Sequence, residues 1–447
     1  MLFTTDKQTL EDLNIFGKHG TDSIFSIFNR CTTRGGAAVL EEMFRHPLSN
    51  DQAINQRSNI IRYFAEKGIS FPFSATDFDA LEPYLNNTDE RSKLSAEDNS
   101  ISKKLSNLIG LDAETAVVYR GVSTLTEMLK AFHDFVISLD LVEGDFYKSE
   151  AEAIVGLLAT LPYVPLSSDG KGKLSHVHMA GNDIIFRFRH RNAVQNLLRY
   201  IYDLDVYISV AKVAQERKFV FPKALSKNTH DMVLEGVYHP QVKNAIANSI
   251  HITPAGNVIF LTGANMAGKS TFMKSLSICL FLAHMGFPLA AKKVEFSVLD
   301  GIYTTINLPD DLGMGASHFY AEILRVKKMA KELAEGKSLF IVFDELFRGT
   351  NVKDAYEGTV AITGAFAKKN NSMFLISTHI IEAAEVLRKE CPNVRFVYLP
   401  TKMKGTQPVY TYTLKEGVTD DRHGMVIINN ERILDILEAG IIKQNLA

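Results

Sequence analysis

The chain has 447 residues and carries 49 Lys and Arg against 51 Asp and Glu, a net charge of −2. Its 46% hydrophobic and 22% charged residues are globular values, which excludes a mainly disordered or collagen-like chain. The balance also excludes a global basic signature, so any nucleic-acid surface must be local.

At roughly 150 residues per domain, the length predicts about three domains or subdomains. The opening MLFTTDKQTLED is polar and has no apolar h-region, so no leader is expected. The most apolar stretch, Ser275 to Ala291, is interrupted by His284, Gly286 and Pro288. It predicts a buried helix turning into a strand, not a bilayer span. Cys31, Cys279 and Cys391 lie far apart with no CxxC pair. That excludes a disulfide framework and a cysteine zinc site and fits a reducing compartment. A cytoplasmic protein with no membrane partner is expected.

Up to residue 235 the pattern is mostly helical. Leu125, Met128, Phe132, Phe135 and Leu139 recur at three- and four-residue spacing, with Ser123 as an expected N-cap. Val194, Leu197, Ile201, Leu204, Ile208 and Ala211 predict a longer helix that stops before Pro222. Leu85 to Lys104 reads as a surface loop. One β signal interrupts the helices: Ile184, Phe186 and Phe188 alternate with Arg187, Arg189 and Arg191. Those arginines could contact phosphate or simply form a solvated strand face. His176, His178 and His190 lie nearby but lack carboxylate or cysteine partners for a metal.

From residue 236 strands alternate with helices. Strands are expected at Asn257–Thr262, Ser338–Phe343 and Ser372–Ser377, with helices near His318–Glu335 and Asp354–Lys369. That alternation predicts a mainly parallel sheet covered on both faces.

Gly263-Ala264-Asn265-Met266-Ala267-Gly268-Lys269-Ser270-Thr271 fits the phosphate loop GxxxxGK[ST] between a strand and a helix. Its backbone N–H groups and the helix N-terminus attract phosphate oxygens. Lys269 can reach the β- and γ-phosphates, and Ser270 can ligate Mg²⁺. In Leu339-Phe-Ile-Val-Phe-Asp344-Glu345 a buried strand places carboxylates at its C-terminal tip, where sheet ligands bind. Asp344 would hold Mg²⁺ through water and Glu345 would deprotonate the attacking water; the pair could instead cap the next helix. His379, in Ser377-Thr378-His379, could sense the γ-phosphate or be structural. Asp310-Asp-Leu-Gly-Met-Gly-Ala-Ser317 is either a second anion loop opening a helix or an ordinary turn.

The order of these motifs resembles the MutS family of DNA mismatch-repair ATPases, of the wider ABC-type class. GANMAGKST is similar to the family's GPNMGGKST, departing at Ala264 and Ala267. Asp344 through Asn351 (DELFRGTN) resembles DEIGRGTS, Ser377–His379 resembles ATH, and His239-Pro240 resembles the HP before the ATPase domain. His423-Gly424-Met425 resembles the family's YG motif. Upstream, Asp6 through Phe64 is similar to the start of the helical core or lever domain, and Ile201 through Gln215 to its returning long helix.

The resemblance implies a multidomain α and α/β fold. An all-helical lever at 1–235, with a clamp reduced or absent near 164–192, precedes a P-loop ATPase domain at 236–447. It implies ATP and Mg²⁺ as cofactors, with ATP hydrolysed using Lys269, Glu345, His379 and Ser317. It implies a homodimer through the ATPase domains, in which Ser317 serves the opposite subunit's γ-phosphate. DNA is the implied partner, in mismatch repair or a related process. The family's mismatch-sensing and connector domains are expected to be absent. The Val242–Ile250 loop offers no aromatic for the base. The −2 charge keeps open a nucleotide-switched dimeric interaction protein without direct DNA binding.

Overall fold

The computed structural model describes residues 3–17, 22–94, 113–164, 174–307, 318–405, 407–419, 432–434 and 436–437. Two units emerge, each considered by itself. One comprises Phe28–Arg45 and Asn59–Gln215; the other comprises Met1–Ile27, His46–Ser58 and Glu216–Ala447. No helix among the described residues is long and apolar enough to cross a membrane.

The first unit is built on two long helices, Ala113–Ser138 and Arg191–Arg217. Val194, Leu197, Ile201, Leu204, Ile208 and Ala211 are all buried, as their period demands. The second helix ends before Pro222, with Lys218 in the left-handed region at φ 54°. Ser123 is not a cap. The helix begins ten residues earlier because Val118 and Val122 extend the buried stripe of Leu125, Leu129 and Phe132.

The expected strand at Ile184–Arg191 is not formed. Helix His176–Ile184 runs into a π-helical turn, Ile185–Arg189. The i, i+4 pair Asp183–Arg187 outweighs the alternation, because both side chains are fully buried and must meet. Arg187 Nε donates to Asp183 Oδ1 at 2.6 Å and Nη2 to Oδ2 at 2.7 Å. Its other donors reach Asn87 O, Ser92 Oγ and Ser92 O at 3.0, 2.7 and 3.0 Å. Tyr84 Oη and the Leu94 amide donate to the same Asp183 carboxylate. The arginine therefore pins the segment Asn87–Leu94 instead of facing solvent.

The second unit carries a six-stranded sheet in the order Lys415–Glu416, Val394–Leu399, Val258–Gly263, Met373–Ser377, Leu339–Phe343, Gly301–Thr305. All neighbours are parallel except the first pair. The four central strands are fully apolar or nearly so because both faces are covered. On one face Phe260, Ile341, Phe343, Phe374 and Ile376 pack against helices His318–Ala334, Val352–Ala367 and Glu382–Glu390. Phe366 stacks between Phe343 and Phe374, with centroids 5.9 and 4.6 Å away. Residues of the opposite face, Ile259, Leu261, Phe340, Val342 and Leu375, are also buried.

The same unit holds a second, mixed sheet that no local sequence pattern announces. It runs Lys223–Leu225, Lys293–Ser297, Met232–Val237, Asn248–Ile252. Two of its strands begin before residue 236. At the far edge of the large sheet, Thr4 lies alongside Gly301, where a Cβ would sit 2.3 Å from Thr4 O. The missing side chain is what lets the N-terminal segment approach.

Candidate functional site

Strand Val258–Gly263 ends in the loop Ala264–Gly268 and helix Lys269–His284 follows. Gly268 serves as N-cap at φ 97°, a left-handed backbone that disfavours any side chain. Met266 is also left-handed, at φ 66°. Within the loop the Ala267 amide donates to Ala264 O at 3.2 Å, closing a tight turn. Lys269 is buried and its Nζ donates to Gly263 O at 2.9 Å and Ala264 O at 3.3 Å. Burial lowers its pKa, opposed by the Asp344 and Glu345 charges.

The carboxylates stand at the tip of the neighbouring strand but one. Asp344 N donates to Thr305 O at 2.9 Å, which continues the sheet ladder past Phe343. Ser270 Oγ donates to Asp344 Oδ2 at 2.5 Å, and Ser377 Oγ to Oδ1 at 2.6 Å. Glu345 takes a left-handed backbone at φ 57°. His379 Nε2 donates to Glu345 Oε1 at 2.8 Å, and Arg348 lies 3.5 Å from Oε2. The His379 hydrogen bond holds the Glu345 carboxyl below its usual range although burial opposes this; the His379, Arg348 and Lys269 charges add to it.

The structure thus brings together the whole segment from Gly263 to Thr271 with Asp344, Glu345 and His379. Ala264, Asn265, Met266, Gly268, Lys269, Ser270, Thr271, Glu345 and Tyr412 line a cleft of about 340 Å³. Ser317, and the loop from Asp310 that precedes it, lie outside the described residues, as does His423-Gly424-Met425. The donor set fits a hard cation. Ser270 and Asp344 offer only oxygen, and Mg²⁺ is held by one or two carboxylates plus substrate phosphates. Among the described residues no group of three or more His, Cys, Asp or Glu could hold a metal by itself.

Two residues escaped the motif reading. Ser377 belongs to the Ser377-Thr378-His379 tripeptide, and its place at a strand end is what brings its hydroxyl to Asp344. Tyr412 carries no motif; it follows the hairpin of Thr401–Lys404 and Gln407–Tyr410, far along the chain. Its ring approaches Gly268 so closely that a Cβ there would lie 2.9 Å from Cδ1. Asn248 fixes it: Nδ2 donates to Tyr412 O at 2.9 Å, and Oδ1 accepts from Leu414 N at 2.7 Å. Those bonds hold Tyr412 at φ 54°. Tyr412 also lines a second cleft of about 380 Å³, with His239, Val242, Ile246, Thr271 and Phe272. Burial, aided by Lys274, lowers the His239 pKa and favours a neutral ring.

Residues 259–440 match the family model described as MutS domain V, and residues 8–211 match MutS domain III. The chain belongs to the MutS family. It is 29% identical over 240 residues to the DNA mismatch repair protein MutS of Staphylococcus haemolyticus (strain JCSC1435). It is 31% identical over 238 residues to that of Streptococcus suis (strain 98HAH33), and 28% over 238 to that of Lysinibacillus sphaericus (strain C3-41). Each alignment takes in 52% of this MutS-family chain but only 27 or 28% of the relative. The chain thus spans little more than a quarter of the length of those relatives. The domain V match begins inside the phosphate-loop strand and takes in Lys269, Asp344, Glu345 and His379.

Proposed function

We propose that the chain binds ATP with Mg²⁺ and hydrolyses it at the site around Lys269 and Glu345. The observation that carries this reading is the convergence of Ser270 with Asp344 beside the phosphate loop, with Glu345 held by His379 at the adjoining strand tips. Lys269 and the loop amides would bind the β- and γ-phosphates. Ser270 and Asp344 would hold Mg²⁺, which when bound neutralises phosphate charge. Glu345 would take the proton from the attacking water, and His379 keeps that carboxylate ionised and aimed. Catalysis of this kind is mostly positioning and charge stabilisation.

The cleft beside Tyr412 would take the nucleoside. It adjoins the phosphate loop through Gly268 and Thr271, and Val242, Ile246 and Phe272 give it apolar walls. A ring at its rim is suited to stacking on a base.

We further infer that the helical unit, Phe28–Arg45 with Asn59–Gln215, acts as the lever, and that the unit carrying the phosphate loop, which takes in residues 1–27, 46–58 and 216–235 besides 236–447, acts as the ATPase domain. Two chains would pair through that domain, each Ser317 completing the other's site. The nucleotide state would then be relayed to DNA, in mismatch repair or a related process, inside the cytoplasm. The −2 net charge favours the second reading, a nucleotide-switched interaction protein. Binding of duplex and branched DNA across a salt titration separates the two, since phosphate contacts lose affinity steeply with salt.

The ATPase reading is tested by Glu345→Gln and Lys269→Ala. Glu345→Gln should lose about 10²- to 10⁴-fold in turnover while ATP binding survives. Lys269→Ala should instead weaken ATP binding about 10- to 100-fold, the worth of a charge-assisted hydrogen bond. A Glu345→Gln chain that turns over like wild type removes Glu345 as the base.

A further inference from the structure

Asp6 does more than cap a helix. It accepts from Thr9 N at 3.0 Å and Thr9 Oγ1 at 2.8 Å, as an N-cap should. The same carboxylate receives Arg325 Nη1 at 2.7 Å, Arg325 Nη2 at 3.1 Å and Lys328 Nζ at 2.8 Å. The Asp6 and Arg325 side chains are only 13% and 10% exposed. Burial by itself would raise the Asp6 carboxyl, but the two cations hold it well below the usual carboxylate range.

Arg325 uses its remaining donors on the end of the edge strand. Nε donates to Thr305 Oγ1 at 3.0 Å, and Nη2 to Thr304 O at 2.6 Å. Thr305 O is the acceptor for Asp344 N. Asp12 grips the same strand end. Its Oδ2 accepts from Thr304 Oγ1 at 2.7 Å and Ile306 N at 2.9 Å, and its Oδ1 from Asn307 N at 2.9 Å. An edge strand is paired on one side only and its tip is free to open. Here two carboxylates from the N-terminal segment close that tip, one residue from the backbone bond that sets Asp344.

We propose that the N-terminal segment from Thr4 to Asp12 is a positioning element for Asp344, acting through Arg325 and Thr305. The inference rests on the ATPase reading above and adds residues that the phosphate-site motifs do not contain. Asp6 touches neither nucleotide nor metal in this account. It keeps the Thr305 carbonyl where Asp344 needs it, and so tunes how well Asp344 and Ser270 hold Mg²⁺ beside the phosphates.

The test is equilibrium binding of ATP to the Glu345→Gln chain, with MgCl₂ and with EDTA. Adding Asp6→Asn keeps the side chain's shape and its cap oxygen but removes the charge that holds Arg325. ATP affinity in EDTA should stay within about twofold, because Lys269 and its loop are untouched. The gain on adding MgCl₂ should shrink about threefold or more, a modest share of the 10- to 100-fold that groups supporting a metal ligand can command. Thr305→Val should shrink it in the same direction with Asp6 intact, and Asp6→Glu should restore most of it. A full MgCl₂ gain in both Asp6→Asn and Thr305→Val overturns the inference. So does an equal loss with MgCl₂ and EDTA, which marks a merely structural role. If the Glu345→Gln chain with native Asp6 binds no ATP, the ATPase reading itself fails.

Discussion

His379 Nε2 lies 2.8 Å from Glu345 Oε1, joining the tips of two adjacent strands whose residues are 34 apart in sequence. This bond is the chief cause that lowers the Glu345 pKa, and Arg348 and Lys269 add to it. A carboxylate accepts a proton only when ionised, so the bond extends toward acid the range in which Glu345 could serve as the proposed base.

His379→Asn should therefore lower turnover about 10- to 100-fold, as loss of an orienting partner does. It should also move the acid limb of kcat against pH upward, because the Glu345 carboxyl rises when its donor is lost. ATP affinity in EDTA should hardly change. An acid limb that stays in place would show that His379 does not govern Glu345.

Tyr412→Ala should weaken ATP binding by about 1–3 kcal/mol, the usual worth of an aromatic stack on a base. Inorganic triphosphate, which has no base, should bind wild type and variant alike. Tyr412→Phe should keep most of the affinity. Equal losses for ATP and triphosphate would mean that Tyr412 supports the phosphate loop through Gly268 and does not stack on the base.

Arg187→Met should destabilise the helical unit by about 3–5 kcal/mol, because it strands the buried Asp183 carboxylate. Pairing it with Asp183→Asn should recover part of that loss by removing the orphaned charge. Chemical denaturation followed by far-ultraviolet circular dichroism measures both. A single variant as stable as wild type would show that Arg187 is not needed to hold Asn87–Leu94.

His284 is fully buried, with Nδ1 donating to Leu280 O at 2.8 Å and Nε2 accepting from Leu299 N at 3.0 Å. Burial lowers its pKa from 6.5 to about 4. The folded pKa lies below the unfolded one, so the unfolded chain takes up the proton first as pH falls. Its contribution is thus complete above pH 6.5 and lost progressively toward pH 4, about 3 kcal/mol in all. Urea midpoints of wild type and His284→Gln across that window should converge at acid pH. A constant gap between them would refute the linkage.

The sequence by itself determined the elements whose signals are local. The run Gly263–Ser270 needs a strand before it and a helix after it, and both are present. The apolar strand ending at Phe343 had to place Asp344 and Glu345 at the sheet's carboxyl edge, since four or more consecutive apolar residues can only be buried on both faces. The 3.6-residue stripe from Val194 to Ala211 likewise required a helix. Short or polar segments were a different matter. Ile184–Arg191 alternates like a strand, and only the burial of Asp183 beside Arg187 made it helical. Tyr412 carries no motif, and its place against Gly268 follows from the amide bonds of Asn248, 164 residues away. The second sheet joins Lys223–Leu225 to Lys293–Ser297, a pairing with no local periodicity to announce it. Asp6 and Asp12 read as ordinary polar residues until the fold sets them against Arg325 and Thr304, more than 290 positions on. A hydrophobic period reports which face of an element is buried, but the partner of a polar side chain is chosen by whichever distant donor the packed core brings within 3 Å.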